Sequence, residues 1–554
     1  MSETFTVGDL VAEFLQHCGV ETAFGVVSIH NIPMLDAIGR RNAIRFVPAR
    51  GEAGGGHMAD AYARIDGGLG VLFTSTGPGA ANAAGALVEA RFAGTPLLHI
   101  TGQTATGNID RGQGAVHDVP AQLEMLRAVS KAAYRVRSAE SALGTLSRAA
   151  AEALCAPRGP VSVEIPIDIQ RSALPRPDSF DGFALPIPPA RTPAPALLEA
   201  LVNKLAAARR PMLWLGSGAR HAGEAANRLA ALGIPLVTSW NGRGVVPEDH
   251  PLSLGPLNAT PEVEAFYQTV DLMVIAGSRL RGHETRDMTL ALPAHRVQID
   301  ADAAAEGRTY TTDLFLCADA EVTLRELADR LGGRMEIDPG YGAEIAEVRR
   351  ASIEAYREYL GPYADFPNIL REVIPRDAVW ARDITLNNST WGNRLFPLYG
   401  PRDSVYPIGA AIGPGLPFGI GAALAAPGRK TVCMCGDGGF ALSLAELWTA
   451  KKEQADVVFL VMNDGGYGVI RHIQNRMYGG RNYYDEVLSP ELEPLAALVG
   501  LPFERVQSTD QLGPAVAAAL TVDGPALVEV DMAAIGEFPA YFAPPPYAAD
   551  EAAE

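Results

Sequence analysis

Residues 435–450, CGDGGFALSLAELWTA, and residues 458–468, VFLVMNDGGYG, decide the architecture. The first stretch reads as a strand that ends at Gly436-Asp437-Gly438-Gly439, followed by a helix. Glycines at such a place let backbone amides approach an anion at a helix start. An aspartate beside a phosphate is repelled unless a divalent cation stands between them. A second strand ends 27 residues later at Asn463-Asp464-Gly465-Gly466. Parallel strands joined by a helix set their C-terminal ends side by side, where α/β sheets bind ligands. Asp437, Asp464 and a nearby backbone carbonyl, completed by phosphate oxygens and water, make an oxygen set suited to Mg²⁺. Each loop alone is most often an ordinary tight turn. The spacing and the strand–helix–strand setting together point to a metal site.

The same grammar runs outward in both directions. Residues 68–76, 95–103 and 159–167 read as buried strands alternating with helices, hence a mainly parallel α/β sheet that ends near Ile169. A proline-rich linker follows. Strands at 210–218, 234–240, 271–278 and 295–302 make a second α/β region, without a complete G-x-G-x-x-G. A second linker is expected at 335–365, and a third region carries strands at 430–438, 456–464 and 524–532. There is an internal echo. GPVSVEIPID closes the first region and GPALVEVDM the third, each after an alanine-rich helix. Two domains of one fold flanking a different middle domain are the expected arrangement.

Composition narrows the class. The chain has 554 residues, 48% hydrophobic and 20% charged, with 46 basic and 64 acidic side chains and a net charge of −18. That surface repels nucleic acid. No run approaches the roughly 18 apolar residues of a membrane span. Five thinly spread cysteines give no disulfide framework, and MSETFTVGDLVAEFLQ lacks the layout of a secretory signal, so the expected compartment is cytoplasmic.

On the 436–464 motif the chain resembles the thiamine diphosphate-dependent enzymes, and closely the acetolactate synthase and benzoylformate decarboxylase group. The resemblance covers nearly the whole chain. It implies a pyrimidine-binding domain at 1–172, a Rossmann-like middle domain at 190–335, a diphosphate- and Mg²⁺-binding domain at 365–535 and a tail at 536–554. It also implies that Gly436, Asp437, Gly438, Gly439 and Tyr467 face the cofactor, with Asp437, Asp464 and the Gly466 carbonyl on the metal. The family usually has a second asparagine where Asp464 stands. A one-residue shift that puts Asn463 on the metal is the lesser alternative.

Further residues follow from the same resemblance. In RGEAGGGHMADAYAR (50–64), Glu52 matches the glutamate that hydrogen-bonds N1′ of the aminopyrimidine, a contact that favours the tautomer able to take the thiazolium C2 proton. In YPIGAAIGPGLPFGIGAAL (406–424), Ile412 matches the apolar residue that bends the cofactor. In RGQGAVHDVPAQLEML (111–126), His117 stands where a substrate-side glutamine is usual, with Gln113 as a competitor. His30, in GVVSIHNIP, lies in the first-domain loop that faces the cofactor. Val469 and Ile473 line the pocket. Ile470 stands where some decarboxylases carry a proton-donating glutamate, Phe73 where benzoylformate decarboxylase has a histidine, and the adjacent histidine pair of pyruvate decarboxylase is missing.

The reaction so implied is thiamine diphosphate- and Mg²⁺-dependent decarboxylation of a 2-oxo acid. Its carbon then either takes a proton, giving an aldehyde, or adds to a second carbonyl. Missing proton donors favour the second outcome, an acetolactate-synthase-like carboligation, over simple decarboxylation. A non-catalytic paralogue and a flavin-dependent oxidase are the rivals. FAD is left open rather than predicted, because SRLRGHETRDM (278–288) departs from the flavin loop of acetolactate synthases. Glu52 and the metal motif sit in different domains yet must meet one cofactor. The family sets the first domain of one subunit against the third domain of another, so the resemblance implies a homodimer at minimum, with a homotetramer common in the family; no nucleic-acid or membrane partner is expected.

Overall fold

Runs of β-branched and apolar residues too short for a helix set the strands, and the computed structural model, which describes residues 5–541, arranges them in three six-stranded sheets. Of the expected tail at 536–554, residues 542–554 lie outside the described residues. The first sheet holds β1 (Thr22–Gly25), β2 (Arg45–Pro48), β3 (Gly70–Thr74), β4 (Leu97–Gln103), β5 (Ala132–Arg135) and β6 (Val161–Pro166), in the order β2-β1-β3-β4-β6-β5. The second holds β7 (Pro211–Leu215), β8 (Leu236–Thr238), β9 (Ser253–Gly255), β10 (Leu272–Ala276), β11 (Arg296–Asp300) and β12 (Leu314–Cys317), in the order β12-β11-β10-β7-β8-β9. The third holds β13 (Val379–Arg382), β14 (Ser404–Val405), β15 (Thr431–Gly436), β16 (Val457–Asn463), β17 (Phe503–Val506) and β18 (Ala526–Asp531), in the order β14-β13-β15-β16-β18-β17. Neighbouring strands within each sheet are parallel. The first and third sheets have the same order, strand for strand, which is the internal echo made explicit.

The outer domains interlock. The helix Glu52–Asp66 carries Gly54, Gly55 and Gly56 in its first two turns. Each glycine costs about 1 kcal/mol against alanine in a helix, so tertiary packing has to hold this one. A Cβ on Gly56 would lie 2.6 Å from the Cβ of Ala86, and one on Gly421, in the helix Gly415–Ala425, would lie 2.2 Å from the Met58 carbonyl oxygen. The two helices therefore cross at backbone distance. One apolar cluster runs through both domains, joining Phe24, Met58 and Leu72 to Phe418, Ile420 and Phe459. Burial of each such side chain contributes about 1.5–3 kcal/mol.

The segment 335–365, expected as a linker, instead contains the helix Tyr341–Leu360. Its composition is polar because only Tyr341, Ile345, Ser352 and Leu360 are buried, while charges such as Arg350, Glu347 and Glu354 pair along its exposed side. The proline-rich stretch is mostly irregular, but Phe180 is buried in the first domain's own core. Among the described residues no helix is long and apolar enough to cross a membrane.

Candidate active site

The loops that follow β15 and β16 meet face to face. A Cβ on Gly438 would lie 2.8 Å from the Tyr467 ring and 3.1 Å from the Gly466 carbonyl oxygen, so only glycine lets the loops close. Gly468 is required in the same way, because a Cβ there would fall 1.6 Å from Asp464 Oδ2. The buried Asp437 side chain adjoins Asp464, and Ser489 Oγ donates to Asp437 Oδ2 at 3.2 Å. Asp437 Oδ1 is buried without a partner. Burial raises the pKa of Asp437, and burial with the adjoining Asp437 charge pushes Asp464 up to about 7. Two facing carboxylates, one with an orphaned oxygen, next to a free carbonyl, form a donor set that fits a hard divalent cation. Asn463 is turned away, its Nδ2 donating to Glu529 Oε1 at 2.7 Å.

The loop that carries Ile412 is fixed from below. Asp383, just past β13, accepts the Ile384 N–H at 2.7 Å and the Gly413 N–H at 3.1 Å. Burial pushes Asp383 up to about 7. Ile412 is exposed, and a Cβ on Gly439 would sit 3.5 Å from its Cγ1, which places it over the Asp437 loop. Gly436 ends β15 directly beneath. Val469 packs onto the third domain's core and Ile473 is half-buried. A cavity of about 230 Å³ beside Asp464 is lined by Gly468, Arg471 and His472 rather than by either of them. Arg471 anchors this wall, its Nε donating to Asp485 Oδ2 at 2.7 Å and its Nη1 to the Asp464 carbonyl at 3.1 Å.

The first domain supplies a second cluster. Glu52 opens its helix, takes a hydrogen bond from Asn82 Nδ2 at 3.2 Å and lies over Gly79, where a Cβ would stand 2.8 Å from Oε1. Ser75 is beside the same glycine, and its Oγ is 3.4 Å from His117 Nδ1. The His117 ring lies 5.2 Å from the His30 ring. His117 is exposed and held at φ 64°; His30 is buried with an unpartnered Nδ1. Burial and the neighbouring His117 lower the His30 pKa. Gln113 is exposed in the same loop, away from these contacts. Phe73 is plain core within β3.

The fold thus gathers Glu52, His30 and His117 on one side, and Ile412, Asp437, Asp464, Gly466 and Tyr467 on the other. Among the described residues no hydrogen bond or ion pair joins the two clusters within the chain. Ser75, Asn82, Asp383, Asp485 and Ser489 escape a reading of the sequence. A hydroxyl or carboxylate that bonds a loop amide carries no spacing signal.

A larger cavity, about 600 Å³, lies where the middle sheet's order reverses between β7 and β10. Arg158, Arg220, Arg279 and Arg281 line it, and Arg220 Nη2 donates to the neutral Asn241 Oδ1 at 2.9 Å. Glu284, Asp300 and Asp319 line it as well.

Three family models match: the thiamine pyrophosphate enzyme N-terminal TPP binding domain over residues 5–125, the central domain over 198–327 and the C-terminal TPP binding domain over 386–530. The chain is 32% identical to a probable 2-ketoarginine decarboxylase of Pseudomonas aeruginosa, over 90% of this chain and 86% of that protein. It is 27% identical to the large subunit of acetolactate synthase isozyme 1 of Escherichia coli, over 95% and 94% respectively. It is 29% identical to the chloroplastic acetolactate synthase of Arabidopsis thaliana, over 94% and 80%.

Proposed function

The chain belongs to the thiamine pyrophosphate enzyme family, and from that premise we propose that it decarboxylates a 2-oxo acid with thiamine diphosphate and Mg²⁺. The observation that carries the Mg²⁺ assignment is the facing pair Asp437 and Asp464 with its orphaned Oδ1. Those carboxylates and the Gly466 carbonyl hold the metal; Gly436, Gly438, Gly439 and Tyr467 flank the diphosphate. The bound cofactor supplies an electron sink for the pair released as CO₂ leaves. Glu52 holds the proton at the aminopyrimidine ring, and Ile412 supports the cofactor from the glycine-rich loop.

The fate of the remaining carbon separates two readings. Carboligation rests on the apolar side chains of Val469, Ile470 and Ile473 and on the acetolactate synthase relatives. Simple decarboxylation rests on His30 beside His117, two imidazoles brought together from separate loops rather than from adjacent residues, and on the 2-ketoarginine decarboxylase relative. We favour decarboxylation to the aldehyde, with carboligation as the second reading. The test is a panel of 2-oxo acids, with and without an added aldehyde, read by mass spectrometry. An aldehyde product supports the first reading and a 2-hydroxy ketone the second. No turnover of any 2-oxo acid with both cofactors present would overturn both.

The two clusters also argue for assembly. Val27, Ile29 and Ile32 around His30 are exposed, as are Ile412, Leu442 and Ile470 around the metal loops. Apolar side chains bare at both half-sites fit a homodimer whose sites pair the first domain of one chain with the third domain of the other.

A further inference from the structure

Each outer domain grips the other's site loop with one buried carboxylate. Glu446 of the third domain accepts the N–H of Arg50 at 3.0 Å and of Gly51 at 3.1 Å, the two residues that lead into Glu52. Thr449 Oγ1 orients it with a donation to Oε2 at 2.7 Å. Glu89 of the first domain accepts the N–H of Ile408 at 2.5 Å and of Gly409 at 2.9 Å, the start of the loop that carries Ile412. Both carboxyl groups are buried, and burial raises the pKa of each.

The surroundings are shaped for these two side chains. A Cβ on Gly54 would lie 2.2 Å from Glu446 Oε1, and a Cβ on Gly409 would lie 2.8 Å from Glu89 Oε2. Glycine therefore stands at both places where a carboxylate crosses from the other domain. A buried carboxyl group is a costly way to join two domains, because it must leave water. Apolar packing already joins them. The expense makes sense when two successive amides have to be held in one orientation, as a bidentate carboxylate can do and a methyl group cannot.

We propose that Glu446 and Glu89 are reciprocal positioning residues: Glu446 sets the bearing of Glu52, and Glu89 sets the loop of Ile412. The proposal rests on the roles given above to Glu52 and Ile412. It says that the two halves of the molecule divide the work. A slack Glu446 clasp disturbs proton handling at the ring, while a slack Glu89 clasp disturbs how the cofactor is seated.

The test uses full-length protein with thiamine diphosphate and Mg²⁺. Cofactor affinity is read by calorimetry, C2 proton exchange of the bound cofactor by quenched NMR, and stability by thermal melting. Glu446→Gln is expected to slow C2 exchange roughly 10- to 100-fold, while cofactor affinity stays within about twofold. Glu89→Gln is expected to weaken cofactor affinity about tenfold and to leave exchange at saturation within about twofold. Raised cofactor is expected to rescue Glu89→Gln but not the slowed exchange of Glu446→Gln. Equal losses of affinity and exchange in both variants, tracking a lowered melting point, would reduce the clasps to domain glue and overturn the proposal. So would wild-type values in both. Thr449→Val, which loosens Glu446 without altering it, should shift exchange in the same direction by less; unchanged exchange in a folded Thr449→Val protein counts against the proposal if Glu446→Gln does not fold. Failure of the wild-type chain to bind or exchange the cofactor would strike the functional reading instead, and is seen before any variant is made.

Discussion

The first and third domains share one strand order and one connectivity, yet they are equipped oppositely. After β3 the first domain places Ser75, Gly77 and Gly79, and its nearby polar groups are a carboxylate and two imidazoles. After β15, the matching strand, the third domain places Asp437 and Gly438, and its polar groups are two carboxylates and a backbone carbonyl. Under the proposed function, one set handles protons on an organic ring and the other binds a hard cation. The difference teaches that the sheet fixes where a loop stands and leaves its chemistry to a few residues at the strand end.

The largest effect should come from disabling each half in turn. Glu52→Gln is expected to slow C2 exchange roughly 10²- to 10⁴-fold with the cofactor still bound. Asp437→Ala is expected to abolish Mg²⁺-dependent cofactor retention, checked by calorimetry with and without chelator. If sites span two chains, mixing the two inactive variants restores part of the activity. A background rate in mass-verified mixed dimers would show that each site is built within one chain.

Next comes the crossing between the halves. Gly421→Ala forces a methyl group to 2.2 Å from a carbonyl oxygen of the opposite helix. A loss of about 1–3 kcal/mol in denaturant unfolding is expected. Gly39→Ala, in the helix Ile32–Arg41 where nothing lies within 4 Å, serves as the control and should stabilise the fold by up to about 1 kcal/mol.

A third contrast is pH. The Asp383 carboxyl is raised from 3.8 to about 7 by burial, so between those values the folded chain holds a proton that the unfolded chain has lost. Its contribution to stability is full below the unfolded pKa and falls as pH rises through the folded one. Melting temperature should therefore drop as pH rises from 5 to 8, in part through Asp383. Asp383→Asn should remove that part of the slope, on the order of a few kcal/mol. An unchanged slope would show that Asp383 does not titrate in this window.

The smallest effect belongs to exposed charge pairs. Arg127→Ala breaks a contact of 2.7 Å to Glu124 in the first domain, and both side chains are mostly in water. A change within about 0.5 kcal/mol is expected. A larger one would mean that the surface of the first domain is more coupled to its core than its burial suggests.

Much of this was legible in the sequence, for identifiable reasons. Glycines at 436, 438, 439, 465 and 466 announce the two loops, a Cβ being crowded out at 438, 439 and 466, and the matching ends at 159–168 and 524–532 announce the duplicated fold. Glu52 was legible as a carboxylate opening a glycine-rich helix. Asp383 was not, because it acts by bonding an amide thirty residues away, and no local pattern marks that. The clasps of Glu89 and Glu446 were hidden for the same reason, each reaching more than three hundred residues along the chain. The helix Tyr341–Leu360 was obscured because its buried face is so narrow that the solvent side dominates its composition.

The helix crossing has a consequence in time. Met58 touches Gly421, about 360 residues downstream. A ribosome adds roughly 5–20 residues per second, so the first domain emerges on the order of tens of seconds before the helix that covers it exists. Throughout that interval the face of Gly54 and Met58 is bare, and the middle domain must be made and set aside before it can be closed. A chain built this way folds its centre between two halves of one surface. A pause late in translation would lengthen the exposure of the first half far more than that of the last.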